Sequence, residues 1–114
     1  MYNYGIKRVK KEGGMNISFE KPVQDRLIVK AEGKLGIETG SEFENEVKNH
    51  LQGIRELVID CAEISYISSF GLRIILSLHK YTAENNCSMY IKNASGYVKN
   101  VFDISGFNGF LNIV

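Results

Sequence analysis

Between residues 57 and 81 the chain runs from a short, almost wholly apolar segment, Leu57-Val58-Ile59-Asp60-Cys61, through a polar turn into a helix that is apolar around most of its circumference. No other feature restricts the fold as much. An apolar run of this length marks a strand covered on both faces and therefore central in its sheet. In the helix, Leu72, Ile74, Ile75, Leu76, Leu78 and Tyr81 leave a single polar stripe to meet water: Arg73, Ser77, Lys80 and Glu84, spaced four, three and four apart. A buried strand that feeds a buried helix is the unit of a sheet layered with helices.

The rest of the chain supplies the other elements. Met15, Ile17 and Phe19 alternate with Asn16, Ser18 and Glu20, and Leu27, Val29 and Ala31 share one face of a run ending at Glu32-Gly33. With turn residues around Pro22 and Asp25, these two strands form a hairpin. Ser41-Glu42-Phe43-Glu44 has the capping-box pattern, Phe43, Val47, Leu51 and Ile54 follow at helical spacing, and Gly53 stands at the expected stop. Cys87, Met89 and Ile91 alternate as a further strand. A helix from about Ser95 carries Val98, Val101 and Phe102 and stops near Gly106, and Phe110 to Val114 forms a last strand. The order β-β-α-β-α-β-α-β predicts an α/β fold: a mixed sheet with right-handed crossovers between its parallel strands and helices packed on one side.

At 114 residues and 44% hydrophobic, the chain makes one domain able to bury a core without metals or disulfides. A net charge of +1 gives no global attraction to nucleic acid or to an acidic membrane, and basic residues are not interleaved with aromatics as single-strand binding requires. Recognition of any partner is therefore local. Cys61 and Cys87 lie in apolar stretches outside any CxxC or Cys/His cluster and read as buried reduced thiols. No apolar run is long enough to span a bilayer, and the N-terminus lacks the apolar core of a signal peptide, so a cytoplasmic location is expected.

Residues 1–14 stand apart, since Lys7, Arg8, Lys10 and Lys11 against Glu12 make them basic while the remainder has 10 basic and 12 acidic residues. They read as a basic tail or an extra edge strand, ahead of a domain over 15–114. Lys11-Glu12-Gly13 can also be encoded by a purine-rich ribosome-binding sequence directly before Met15, which makes Met15 a candidate start.

Catalytic chemistry finds little to use. His50 and His79 each sit alone in helical segments, no nucleophile is paired with a base, and Gly33, Gly36 and Gly40 spell neither GxGxxG nor a P-loop. The expectation is a non-enzyme without cofactor or metal. The polar turn within Ser65-Tyr66-Ile67-Ser68-Ser69-Phe70-Gly71-Leu72-Arg73 is the prominent feature, and its plain structural reading is that Ser68 or Ser69 caps the buried helix while Gly71 lets the first turn pack close.

The same residues resemble the STAS domain family of anti-sigma factor antagonists, whose hallmark is a strand, a turn with Ser or Thr followed by Gly-Leu, and an apolar helix. Gly33-Lys34-Leu35 with Thr39 is similar to the family's G-x-L-D-x-x-T, Leu57-Val58-Ile59-Asp60 matches its central strand, and Val101-Phe102-Asp103-Ile104-Ser105-Gly106-Phe107 is similar to its v-x-x-l-f-x-i-s-G-l/f. The resemblance covers Met15 to Val114. It implies a STAS fold and a phospho-acceptor serine in the turn, which alignment on Gly71-Leu72 makes Ser69, with Ser68 as second candidate. It also implies a docking surface of Thr39, Ser68, Ser69, Phe70, Gly71, Leu72 and Arg73. The implied partner is an anti-sigma factor that is a serine kinase of the GHKL ATPase class, with a serine phosphatase to reset the switch. The alternative is a non-catalytic STAS binding or scaffold subunit of a transporter or stress-signalling complex, with the serine acting only as a cap. Two departures stand near the acceptor: Gly36 replaces the family's Asp in G-x-L-D, and Ser68 replaces the Asp that often precedes the acceptor.

Overall fold

The computed structural model describes residues 6–10, 14–94, 96–109 and 111–114. Lys11-Glu12-Gly13 of the suggested ribosome-binding run, the helix start at Ser95 and the strand residue Phe110 lie outside them. The elements in order are β1 (Ile6–Lys10), β2 (Asn16–Val23), β3 (Arg26–Leu35), α1 (Gly40–Lys48), β4 (Glu56–Ile67), α2 (Ser69–Glu84), β5 (Ser88–Lys92), α3 (Gly96–Ile104), a single 3-10 turn (Phe107–Gly109) and β6 (Asn112–Ile113). The strands lie in one sheet in sequence order, β1 to β6; β1-β2 and β2-β3 are antiparallel, while β3-β4, β4-β5 and β5-β6 are parallel. The expected mixed sheet is therefore observed, with one more strand at its N-terminal edge.

One face of the sheet carries the core. Ile17, Phe19, Leu27, Val29, Leu57, Ile59, Met89 and Ile91 project from alternate strand positions against Phe43 and Val47 of α1, Ile75 and Leu78 of α2 and Phe102 of α3. The opposite face is open. Val58 and Asp60 are only half-buried there, beside Ile28, so β4 is central in the sheet but covered on one face rather than both. An apolar run cannot distinguish Val58 on a half-solvated face from a residue under a second helical layer.

The last strand is shorter than expected, Asn112–Ile113, and three other boundaries differ from the sequence reading. The first helix is capped at Thr39 and begins at Gly40, and no capping box forms around Ser41. Glu44 turns instead toward Lys48, at 3.2 Å, and accepts a hydrogen bond from the Ser77 hydroxyl, tying α1 to α2. The helix also ends at Lys48, and Leu51 and Ile54 reach the core from the following turn, which is closed by Gly53 at φ +77°. There His50 stacks on the buried Phe19 ring with centroids 3.8 Å apart. The third difference is the largest: the stretch expected as loop after Cys61 is strand up to Ile67.

Both cysteines are free and buried. Burial first, and the neighbouring Asp60 charge second, push the Cys61 thiol up to about 12 from its ordinary 9.0, and burial likewise raises Cys87. Because the folded state holds the neutral thiol, the stability this gives is complete below about pH 9 and is lost as pH rises toward 12. Native protein treated with iodoacetamide at pH 8 is expected to leave Cys61 unalkylated, and denaturation scans are expected to show stability falling above pH 9. Rapid native alkylation of Cys61 would contradict this burial.

Candidate functional site

The site is built where β3 and β4 run past the rest of the sheet. Between the pairs Lys30–Asp60 and Glu32–Glu63, and again between Gly33–Ile64 and Lys34–Tyr66, β4 has one more residue than β3. These two bulges change the burial repeat of β4 from every second residue to every third, so that Cys61, Ile64 and Ile67 all face the core. The strands then end level, at Leu35 and Ile67. Two turns leave side by side, Gly36–Thr39 into α1 and Ser68 into α2.

The first turn is held by the Thr39 side chain. Its hydroxyl donates to the Lys34 carbonyl at 2.7 Å and accepts the Gly36 N–H at 3.0 Å, while the Gly40 N–H donates to the Gly36 carbonyl at 2.7 Å. Thr39 is thus half-buried and committed to fixing the turn's shape.

The second turn assigns different tasks to its two serines. Ser68 is the N-cap, with extended backbone, and its Oγ accepts the Gly71 N–H at 3.1 Å. Its own N–H donates to the Leu35 carbonyl at 3.0 Å, and its carbonyl accepts the Leu72 N–H at 2.9 Å as the first helical bond. Ser69 is the first residue of α2 and is exposed, with no bond to its hydroxyl among the described residues. Its place at the positive end of a sixteen-residue helix favours a negative charge there. Of the two, only Ser69 presents an uncommitted oxygen to solvent.

Packing holds this arrangement. A Cβ on Gly71 would lie 2.3 Å from the Leu35 carbonyl oxygen, so α2 begins in contact with the end of β3 and only glycine fits. Half-buried Phe70 and buried Ile74 both close on Gly40, bringing the start of α2 against the start of α1; a Cβ on Gly40 would stand 2.8 Å from the Phe70 ring and 2.9 Å from Ile74. Leu72 is half-buried against the core rather than displayed, and Arg73 is exposed one turn beyond Ser69. Of the seven residues expected at this surface, Ser69 and Arg73 are exposed, Thr39, Ser68, Phe70 and Leu72 are half-buried, and Gly71 is buried. Between the turns is a concavity of about 350 Å³ whose lining includes Lys34, Ile37, Glu38, Tyr66 and Ser69.

The two positions that depart from the G-x-L-D and pre-acceptor patterns are neighbours. A Cβ on Gly36 would stand 3.2 Å from Ser68 Oγ. Carboxylates at both positions would face each other across this gap, and here both are absent together.

Three residues at this end escaped the sequence reading. Ile37 is 79% exposed, and Tyr66 (43%) and Tyr97 (50%) stack with centroids 5.8 Å apart and planes inclined by 9°. The Tyr97 hydroxyl donates to the Ile67 carbonyl at 3.4 Å, which joins α3 to the turn. No sequence pattern marked them as exposed; the three-residue burial repeat of β4 is what turns Tyr66 outward.

The STAS domain matches residues 17–114. The chain belongs to the STAS domain family. It is similar to the anti-sigma-B factor antagonist of Staphylococcus aureus, 28% identical over 101 residues, which cover 87% of this chain and 94% of that protein. The STAS fold is likewise shared with the anti-sigma factor antagonist SpoIIAA in its unphosphorylated form, with a TM-score of 0.67 at 11% identity over 86% of each chain. The Bacillus cell fate determinant SpoIIAA in its phosphorylated form gives a TM-score of 0.66 at 13% identity, covering 86% of this chain and 90% of that one. Among the described residues of this STAS domain, no group of His, Cys, Asp or Glu is placed to hold a metal ion, and no helix is long and apolar enough to cross a membrane.

Proposed function

We propose that this STAS domain is an anti-sigma factor antagonist: it docks an anti-sigma serine kinase of the GHKL ATPase class through the paired turns, and phosphorylation of Ser69 releases it. It acts by binding rather than catalysis, in the cytoplasm, and a serine phosphatase restores the binding form. One observation carries the reading. The turn separates a serine whose oxygen is bound as a helix cap from a serine whose oxygen is exposed on the first residue of the same helix. A phosphate of about −1.5 to −2 charge at that position meets free N–H groups and the helix dipole, so the domain stays folded while its surface changes sign. Relatives in the same family carry the antagonist name, and one of similar fold is known both with and without phosphate.

The test is phosphate transfer. With a cognate serine kinase and ATP, mass spectrometry is expected to find one added phosphate, on Ser69, and none on Ser69→Ala. Full incorporation into Ser69→Ala would move the acceptor to Ser68 and overturn the assignment.

A second reading, a STAS scaffold subunit in a transporter or stress-signalling assembly, is favoured by the absence of carboxylates at Gly36 and Ser68. It predicts that no serine kinase of the same genome phosphorylates the domain.

A further inference from the structure

The polar stripe of α2 does not end at the turn. Ser69, Arg73 and Lys80 follow one another four and seven residues apart and so lie along one face of the helix. Beside them an open groove of about 410 Å³ lies along α2, bordered from α1 by its last residue, Lys48. Its walls divide into two kinds of charge. Lys48 is already satisfied, since its Nζ lies 3.2 Å from Glu44 and 4.7 Å from the centre of the Tyr81 ring. Arg73 and Lys80 are exposed and form no ion pair among the described residues. The floor between them is half-buried Leu76, with Tyr81 alongside, and Glu84 closes the far end.

Two unpaired cations on either side of an apolar floor call for a complementary surface. Arg73 and Lys80 are separated by about 10.5 Å along the axis, at 1.5 Å per residue. A second helix matches that distance with two carboxylates seven residues apart, and the residue midway between them then falls on Leu76. We propose that this groove receives an acidic amphipathic helix of the anti-sigma partner, with Arg73 and Lys80 reading its two carboxylates. The inference rests on the proposed function and extends it, because Arg73 at the near end of the groove stands one helical turn from Ser69. It also gives release a second component: a phosphate on Ser69 stands one helical turn from Arg73 and competes with the partner's carboxylate for that guanidinium.

The experiment measures binding of the cognate anti-sigma kinase to wild type, to the double reversal Arg73→Glu/Lys80→Glu and to the charge-preserving Arg73→Lys/Lys80→Arg, with circular dichroism confirming the fold of each. The reversal is expected to weaken binding by about tenfold or more and to flatten its salt dependence, while the charge-preserving pair stays within about threefold of wild type. Wild-type binding matched by the reversal would overturn the groove assignment and leave the function standing. If no anti-sigma kinase bound the wild type, both the groove assignment and the function it rests on would fall.

Discussion

Replacing Gly71 by alanine is expected to destabilise the domain by about 2 to 3 kcal/mol, lowering its melting temperature by roughly 10 °C. The sign is not obvious, since alanine in place of glycine within a helix ordinarily stabilises by about 1 kcal/mol. Here the added methyl would lie 2.3 Å from the Leu35 carbonyl oxygen and 3.0 Å from Ile67 Cγ1. The oxygen cannot retreat easily, because it accepts the Ser68 N–H at 3.0 Å, and Ile67 is buried at the end of β4. Relief requires α2 to lift from β3, and that movement would also break the cap at Ser68. Gly36→Ala provides the contrast: its methyl would meet only the Ser68 side chain, Oγ at 3.2 Å and Cβ at 3.7 Å, and a change within about 1 kcal/mol is expected. Urea denaturation of the two variants measures the difference directly. Equal midpoints would show that the close approach at Gly71 is not a constraint.

The same geometry explains which parts of the fold are legible in the sequence. Strands β2, β3 and β5 each bury alternate residues on a single face, and a two-residue repeat reports that arrangement. In β4 the repeat holds only to Cys61, after which two bulges expose pairs, Ala62-Glu63 and Ser65-Tyr66, between single buried residues. A three-residue spacing with polar pairs looks like loop, because the bulges are set by pairing with β3 and not by β4 itself. The misplaced cap of α1 has a similar origin. Ser41 and Glu44 satisfy a local rule, but the Thr39 hydroxyl bridges Lys34 and Gly36 and starts the helix two residues earlier.

The candidate site was more legible than its surroundings. A serine cap, a glycine at a close approach and an exposed cation one turn on are all short-range features, and each appears at Ser68, Gly71 and Arg73. What the sequence left open was which serine caps, because either can bond the first turn. The answer depends on the Leu35 carbonyl, thirty-three residues from Ser68, whose bond to the Ser68 N–H fixes where the helix begins. The exposure of Ile37 and of the stacked Tyr66–Tyr97 pair is likewise a tertiary result, arising where β4 and α3 meet beside the turn.

Ser69→Asp is expected to separate stability from binding. A carboxylate on the first residue of α2 faces the positive end of the helix, so the melting temperature should hold or rise slightly, in keeping with about 0.3 to 1 kcal/mol of favourable interaction. Binding to the anti-sigma kinase should move the other way. A charge placed without a partner in a desolvated interface costs on the order of 3 to 5 kcal/mol, which at 1.4 kcal/mol per tenfold weakens affinity by roughly two to three decades. Aspartate carries less charge than phosphate, so the lower end, about a hundredfold, is the expected loss. Ser69→Ala adds no charge and leaves the Ser68 cap intact, and its affinity should remain within about threefold of wild type. Isothermal titration against the kinase, paired with melting curves, reads both effects. A destabilised Ser69→Asp would mean that the position tolerates no anion, whereas a stable variant with undiminished affinity would place the partner's contact away from this turn.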